Sequence, residues 1–239
     1  ETVIEAALRA PDLATARRVT LASLERAPTD LAAARLLEIW ARLRPGSPFD
    51  AEVRRLARQA APARKLVYAS YLNRVGDHRS AADLARPLAT LPVTASSTDA
   101  NAVLATAMLN LGQTGPAQER LDQVLSLDPG HFNALKARIE LALRLKQGQR
   151  AIKDAQRLVS VAPSRGEAWI TQARVYSAVG NEREAGRTLW NAFHQISGDR
   201  NIYEALRVYV LRSQGPEAAR RLAQEFADQR DAEMTREFV

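Results

Sequence analysis

The chain contains no cysteine in its 239 residues, which excludes disulfides, thiolate metal sites and thiol nucleophiles together and leaves the redox compartment open. Aromatic residues are scarce, at 5%, and a β-sheet fold would draw on more Val, Ile, Thr and Tyr than this composition offers. No hydrophobic run is long enough to cross a bilayer, since the most apolar stretch, Asn101 to Gly112, is short and polar at its edges. Also missing are a glycine-rich phosphate loop, a G-x-S-x-G elbow and an H-E-x-x-H pair. What is plentiful is Ala, Leu and Arg, residues that lose little side-chain entropy in a helix. With 46% hydrophobic and 26% charged residues, the chain can bury a sizeable core, and an all-α structure is expected.

A fixed period runs through the sequence. Ala117, Ala151, Ala185 and Ala219 are spaced by 34 residues, and Pro129 and Pro163 keep the same step. Larger residues follow it too: Leu135, Trp169 and Tyr203 form one column, and Met108, Tyr176 and Val210 another in which Ala142 is the small exception. A small residue on one helix lets its neighbour approach, and a bulky residue on that neighbour fills the groove. Such a period predicts helix hairpins, each burying its apolar face against the next.

Residues 166–199 carry Glu167-Ala168-Trp169, Ala173, Tyr176, Gly180-Asn181, Ala185, Leu189 and Ala192-Phe193. Residues 98–131 carry Leu104-Ala105, Gly112, Ala117, Leu121, Val124-Leu125 and Asp128-Pro129. On these residues the chain resembles the tetratricopeptide repeat family. The match is looser in residues 132–165, where Ile139 replaces a very small residue and Lys146 stands before the turn in place of glycine. Residues 62–95 keep Tyr68-Ala69, Gly76, Ala81 and Leu88, followed by two extra residues. The resemblance implies a right-handed α-solenoid of antiparallel hairpins with a concave and a convex face.

Punctuation divides the chain in the same way. Ala10-Pro11-Asp12, Ala27-Pro28-Thr29-Asp30, Pro45-Gly46-Ser47-Pro48 and Gly215-Pro216 each join a helix stop to a helix start. The expected organisation is degenerate helical repeats over 1–61, a hairpin and irregular connector over 62–97, four hairpins over 98–233, and a further helix or frayed tail over 234–239. The connector around Leu91 to Ser97 is expected to let the array bend. A start at Glu1, and a helix only begun at Asp231, lead us to expect a piece of a longer protein.

The residues show little chemistry of their own. His78, His131 and His194 fall near turns of different hairpins, lack metal-site spacing and are expected on the surface. Glu182 with Glu184, and Glu38 with Asp50, suit helix starts and solvated faces better than acid–base work. Trp169, Tyr176, Trp190 and Tyr203 sit at helical spacing and are read as core. No catalytic residue, metal or cofactor is expected.

In the family the ligand usually lies in the concave groove lined by the first helix of each hairpin. Carried over by register, the hydrophilic residues facing that groove are Asn73, Arg74, Asn110, Lys136, Glu140, Arg144, Glu167, Arg174 and Glu204. Their mixed signs suit an extended segment of another protein, held by hydrogen bonds and alternating charge pairs. Lys136 resembles one arm of the clamp by which some members hold a chaperone's C-terminal carboxylate, but Glu140 one turn on would repel that group.

The expected role is a non-catalytic scaffold for protein–protein interaction. Degenerate arrays of this kind resemble bacterial periplasmic scaffolds of envelope and exopolysaccharide-export machines, and the periplasm is accordingly the favoured compartment. The net charge of +7 and pI near 10.2 keep open a basic module for nucleic acid, polysaccharide or another polyanion. Against nucleic acid, Arg17-Arg18, Arg54-Arg55 and Arg220-Arg221 are scattered among acidic residues. A third reading is a docking domain of an enzyme whose catalytic part lies outside these residues.

Overall fold

The computed structural model describes residues 13–27, 29–43 and 49–237. Every regular element among them is helical. The punctuation at Ala10-Pro11-Asp12, Pro28 and Pro45 to Pro48, and residues 238–239 of the expected tail, lie outside the described residues. The chain forms two compact units that meet in sequence at Pro129 and Gly130.

The first unit holds α1 (Leu13–Glu25), α2 (Asp30–Leu43), α3 (Phe49–Gln59), α4 (Pro62–Arg74), α5 (His78–Ala85), α6 (Thr98–Asn110) and α7 (Thr114–Leu127). Its N-terminal core centres on Trp40 and Phe49, both fully buried, with ring centroids 4.1 Å apart and stacked; Tyr71 meets Phe49 edge-on at 6.1 Å. Such pairs add about 1 kcal/mol beyond their area. Polar contacts tie the helices around it. Arg64 donates to Asp30 at 2.5 Å and to the Ala27 carbonyl at 3.1 Å, and the Tyr71 hydroxyl donates to Asp50 at 2.5 Å. Burial, reinforced by the Asp50 carboxylate, pushes the Tyr71 phenol well above its usual range.

The second unit holds α8 (Phe132–Arg144), α9 (Gly148–Val161), α10 (Gly166–Ala178), α11 (Glu182–Gln195), α12 (Arg200–Gln214) and α13 (Pro216–Glu237). Within it α8 packs on α9, α9 on α10, α10 on α11 and α12 on α13. Ala151 and Ala185 of the small-residue column are buried at the helix contacts, as is Ala117 in the first unit. Leu135 is fully buried, while Trp169, Tyr176, Trp190 and Tyr203 are half-buried against the core. Tyr203 stacks on Phe226 with centroids 4.2 Å apart. Inside the α8–α9 hairpin, Arg138 holds Asp154 through two parallel hydrogen bonds of 2.8 Å, and Asp154 is only 6% exposed.

Four hairpins share one turn. The N–H of Asp77, Gln113, Gln147 and Asn181 donates to the carbonyl five residues earlier, on Leu72, Met108, Ala142 and Tyr176, at 2.8 Å each time. This bond closes the helix end with backbone alone, and it requires a left-handed residue before the donor. Gly76, Gly112 and Gly180 supply it with φ of 91°, 81° and 82°, and Lys146 occupies the same place at φ 56°. The next helix starts on a side-chain cap where chemistry allows: Asp77 accepts from the Ser80 N–H and Asn181 from the Glu184 N–H.

The structure adds one detail to the expected connector and departs from the sequence reading in two places. Second helix α5 has 8 residues where α7 has 14, because Pro87 cannot continue the ladder and the chain passes into a 3₁₀ turn over Arg86–Leu88. One continuous helix, α13, runs from Pro216 to Glu237, with no Gly or Pro after Pro216 to stop it near residue 231 or 233. His131 is buried at 8% exposure, not on the surface, because its Nδ1 accepts the Ala134 N–H and caps α8.

Candidate partner-binding face

In the second unit the first helices of successive hairpins, α8, α10 and α12, lie in contact, α8 with α10 and α10 with α12. Five of the expected groove residues converge across α8 and α10. Lys136 pairs with Glu167 of the next hairpin. One turn on, Glu140 accepts from Arg144 of its own helix at 3.1 Å and lies 3.7 Å from Arg174 of the next. The result is a strip of alternating sign whose members are 30–61% exposed. Glu204 on α12 stands apart from it and pairs with Arg207 at 3.0 Å. At one end of the strip the Phe132 ring carries two cations, Lys136 at 5.6 Å and Arg165 at 4.3 Å.

The other three residues belong to the first unit. Asn73 donates to the Val103 carbonyl at 3.0 Å, joining α4 to α6, and its side-chain oxygen lies 3.3 Å from His78. Arg74 reaches Glu38 on α2 at 3.4 Å. Asn110 is exposed at the end of α6 and donates to the Thr106 carbonyl at 3.1 Å.

A polar cluster that the sequence reading missed holds the connector. Asn101 is fully buried, and its amide nitrogen donates to the carbonyls of Thr90 and Ser97 at 3.1 and 2.9 Å. Its oxygen accepts from Arg120 at 2.5 Å, and Arg120 also reaches the Ala89 carbonyl at 3.4 Å. Gln123 accepts the Val93 N–H at 3.1 Å. Burial draws the Arg120 guanidinium below its ordinary range; Glu119 opposes this and the cation of Arg86 adds to it. The only signals in the sequence were a polar residue at the edge of an apolar helix and an arginine nineteen residues later, and no periodic pattern links them. At the α4–α5 turn, burial opposes ionisation of Asp77, but hydrogen bonds from Arg54 at 2.6 Å and from Ser80 outweigh it and hold the carboxyl below its usual range.

No protein-family model and no curated protein sequence matches the chain. Solved structures do. A thermophilic tetratricopeptide repeat (TPR) protein of Thermus thermophilus, TTC0263, superposes with a TM-score of 0.53 at 19% identity, over 75% of this chain and 91% of that one. A tetratricopeptide repeat protein of Parabacteroides merdae gives 0.51 at 17% identity, over 89% of this chain and 77% of that one. MamA gives 0.50 at 14% identity, over 70% and 96%. The chain has the tetratricopeptide-repeat fold. Its TPR hairpins pair a first helix with a second across the shared turn, and the alternating strip lies on the first helices. Among the described residues no three His, Asp or Glu side chains gather as a metal site would require, and no helix is long and apolar enough to cross a membrane.

Proposed function

We propose that this protein is a TPR scaffold that holds an extended segment of a partner protein against the first-helix face of its second unit. The TPR fold suggests a protein-interaction role, and the alternating strip on α8 and α10 supports the more specific reading. Its ion pairs are solvent-exposed, and such pairs contribute only about 0–1 kcal/mol each. Exchanging an internal partner for one on an incoming chain therefore costs little. The helices beneath are already packed, so no backbone ordering is needed on this side. A bound segment would place acidic groups at Lys136, Arg144 and Arg174, and basic or amide groups at Glu140 and Glu167.

The test is a pull-down at low and moderate salt with the wild-type chain and a Lys136→Glu, Arg144→Glu, Arg174→Glu variant. The melting temperature of the variant is measured beside that of the wild type, because the three reversals set like charges against Glu140 and Glu167 and should lower it slightly, and binding is compared only where both chains are folded. A defined protein retained by the wild type at moderate salt and lost by the variant is the expected result. Equal retention by both, or recovery only of nucleic acid that salt releases, overturns the proposal.

A further inference from the structure

The net charge of +7 is unevenly placed. Residues 130–163, which hold the α8–α9 hairpin, carry seven basic residues against two acidic ones, whereas residues 164–239 carry eleven of each. Both acids of the hairpin are engaged. Asp154 is clamped by Arg138, and Glu140 lies between Arg144 and Arg174. Second helix α9 thus presents cations on its outer side without a free carboxylate. Arg150, Lys153 and Arg157 stand at i, i+3 and i+7, which places them on one helix face over about 10 Å. Lys153 and Arg157 are exposed, as is Lys146 in the turn that leads into the helix. These three form no ion pair among the described residues.

One repeat later, the corresponding positions neutralise themselves. Glu184 replaces Arg150 and pairs with Arg187 at 2.7 Å, Asn191 replaces Arg157, and Gly180 replaces Lys146. The last replacement is an independent observation. Lys146 holds φ 56° where its counterparts Gly112 and Gly180 are free of penalty, and a side chain in that conformation costs energy that glycine would avoid. Strain of this sort persists only where the surrounding structure holds it, here the turn bond from Gln147 to the Ala142 carbonyl, and strained positions cluster at functional sites.

We propose that the outer face of α9 is a docking strip for an acidic segment of a partner protein, and that Lys146 is kept in its strained turn because its ammonium extends the strip. This surface is separate from the first-helix face and does not depend on it. The strip suits protein better than nucleic acid. Helix α9 carries no aromatic residue on which a base would stack, and its few cations fall short of the roughly six to ten phosphate contacts of a typical nucleic-acid binder. On an extended acidic peptide, side chains of one face recur about every 7 Å. Successive cations on α9 rise by about 4.5–6 Å, and their flexible stems span the difference.

Fluorescence anisotropy on the full chain tests this with labelled oligoglutamate, oligothymidylate and oligogalacturonate of matched charge, at low ionic strength. Oligoglutamate should bind the wild type most tightly, and Lys153→Glu, Arg157→Glu should weaken it about tenfold. Lys146→Gly should weaken it about twofold to threefold while raising the melting temperature, so lost binding there cannot be lost folding. Equal binding by wild type and the double variant, or tighter binding of oligothymidylate or oligogalacturonate, overturns the proposal. Unchanged binding by Lys146→Gly overturns the role given to that residue.

Discussion

The chain joins its helices in two different ways. Between the two helices of a hairpin the turn closes on backbone bonds, repeated at 2.8 Å in four hairpins that share little side-chain chemistry at that point. Between α5 and α6 the chain departs from the repeat, and side chains of α6 and α7 hold it: Asn101, Arg120 and Gln123 reach the carbonyls and an N–H of the connector. A turn closed by backbone tolerates almost any sequence that supplies one left-handed residue. A connector closed by side chains depends on a few residues that nothing nearby in sequence can replace.

The contrast is broken most severely at Asn101. Replacing it by Ala leaves the Thr90 and Ser97 carbonyls and the Arg120 guanidinium without their buried partner, and about 2–4 kcal/mol should be lost in urea unfolding. A loss below about 1 kcal/mol would mean that water replaces it freely. Next in size is Ala185→Leu, which forces extra carbons into a contact where Ala185 is 1% exposed and should cost about 1–3 kcal/mol. A neutral result would show that the small-residue column does not set the helix approach. Lys146→Gly acts in the opposite direction and should stabilise by about 1 kcal/mol, because it removes the left-handed penalty from the one hairpin turn of the four that lacks glycine. The same change at Gln147, whose backbone is not left-handed, should give no such gain.

The smallest effect is a pH dependence. Asp77 has a folded-state pKa below its ordinary value, so its carboxylate binds fewer protons in the folded chain than in the unfolded one. Its contribution is complete above the ordinary Asp range, near 3.9, and is lost as pH falls through the lowered folded value. Asp77→Asn should lower stability at neutral pH by a small amount, change it little below the lowered pKa, and so flatten the acid limb of a stability–pH curve. An unaltered acid limb would show that Arg54 and Ser80 contribute nothing to that carboxylate.

These two modes of closure also explain what could be read from the sequence. The alanine column marks the helix contacts because a small side chain recurs at one place in a repeating geometry, with Ala219 at its end only half-buried. Ala117, Ala151 and Ala185 are all buried where the period places them. Lys146 was visible as a residue standing where glycine is usual, and its left-handed backbone follows from the turn. Register supplies the residues expected on the first-helix face, but not the partners they take: Glu140 meets Arg174 because two hairpins stack, and only the packed helices set that distance. The clamps Asn101–Arg120 and Arg138–Asp154 join residues nineteen and sixteen apart that share no period, so they could not be read from spacing. The full length of α13 was not legible because a missing stop leaves no mark of its own.

The departure of the connector from the period has a consequence for insertions. From Gly76 to Gly112 the spacing is 36 residues, whereas from Gly112 to Lys146 and on to Gly180 it is 34. Inside a helix, two added residues would swing every later side chain by about 200° and turn the buried column toward water. Placed between α5 and α6, the same two residues change only the path of a loop, and the columns downstream resume in phase. The connector is thus a place where the repeat can gain or lose length without losing its frame, provided that Asn101 and Arg120 still find carbonyls to hold.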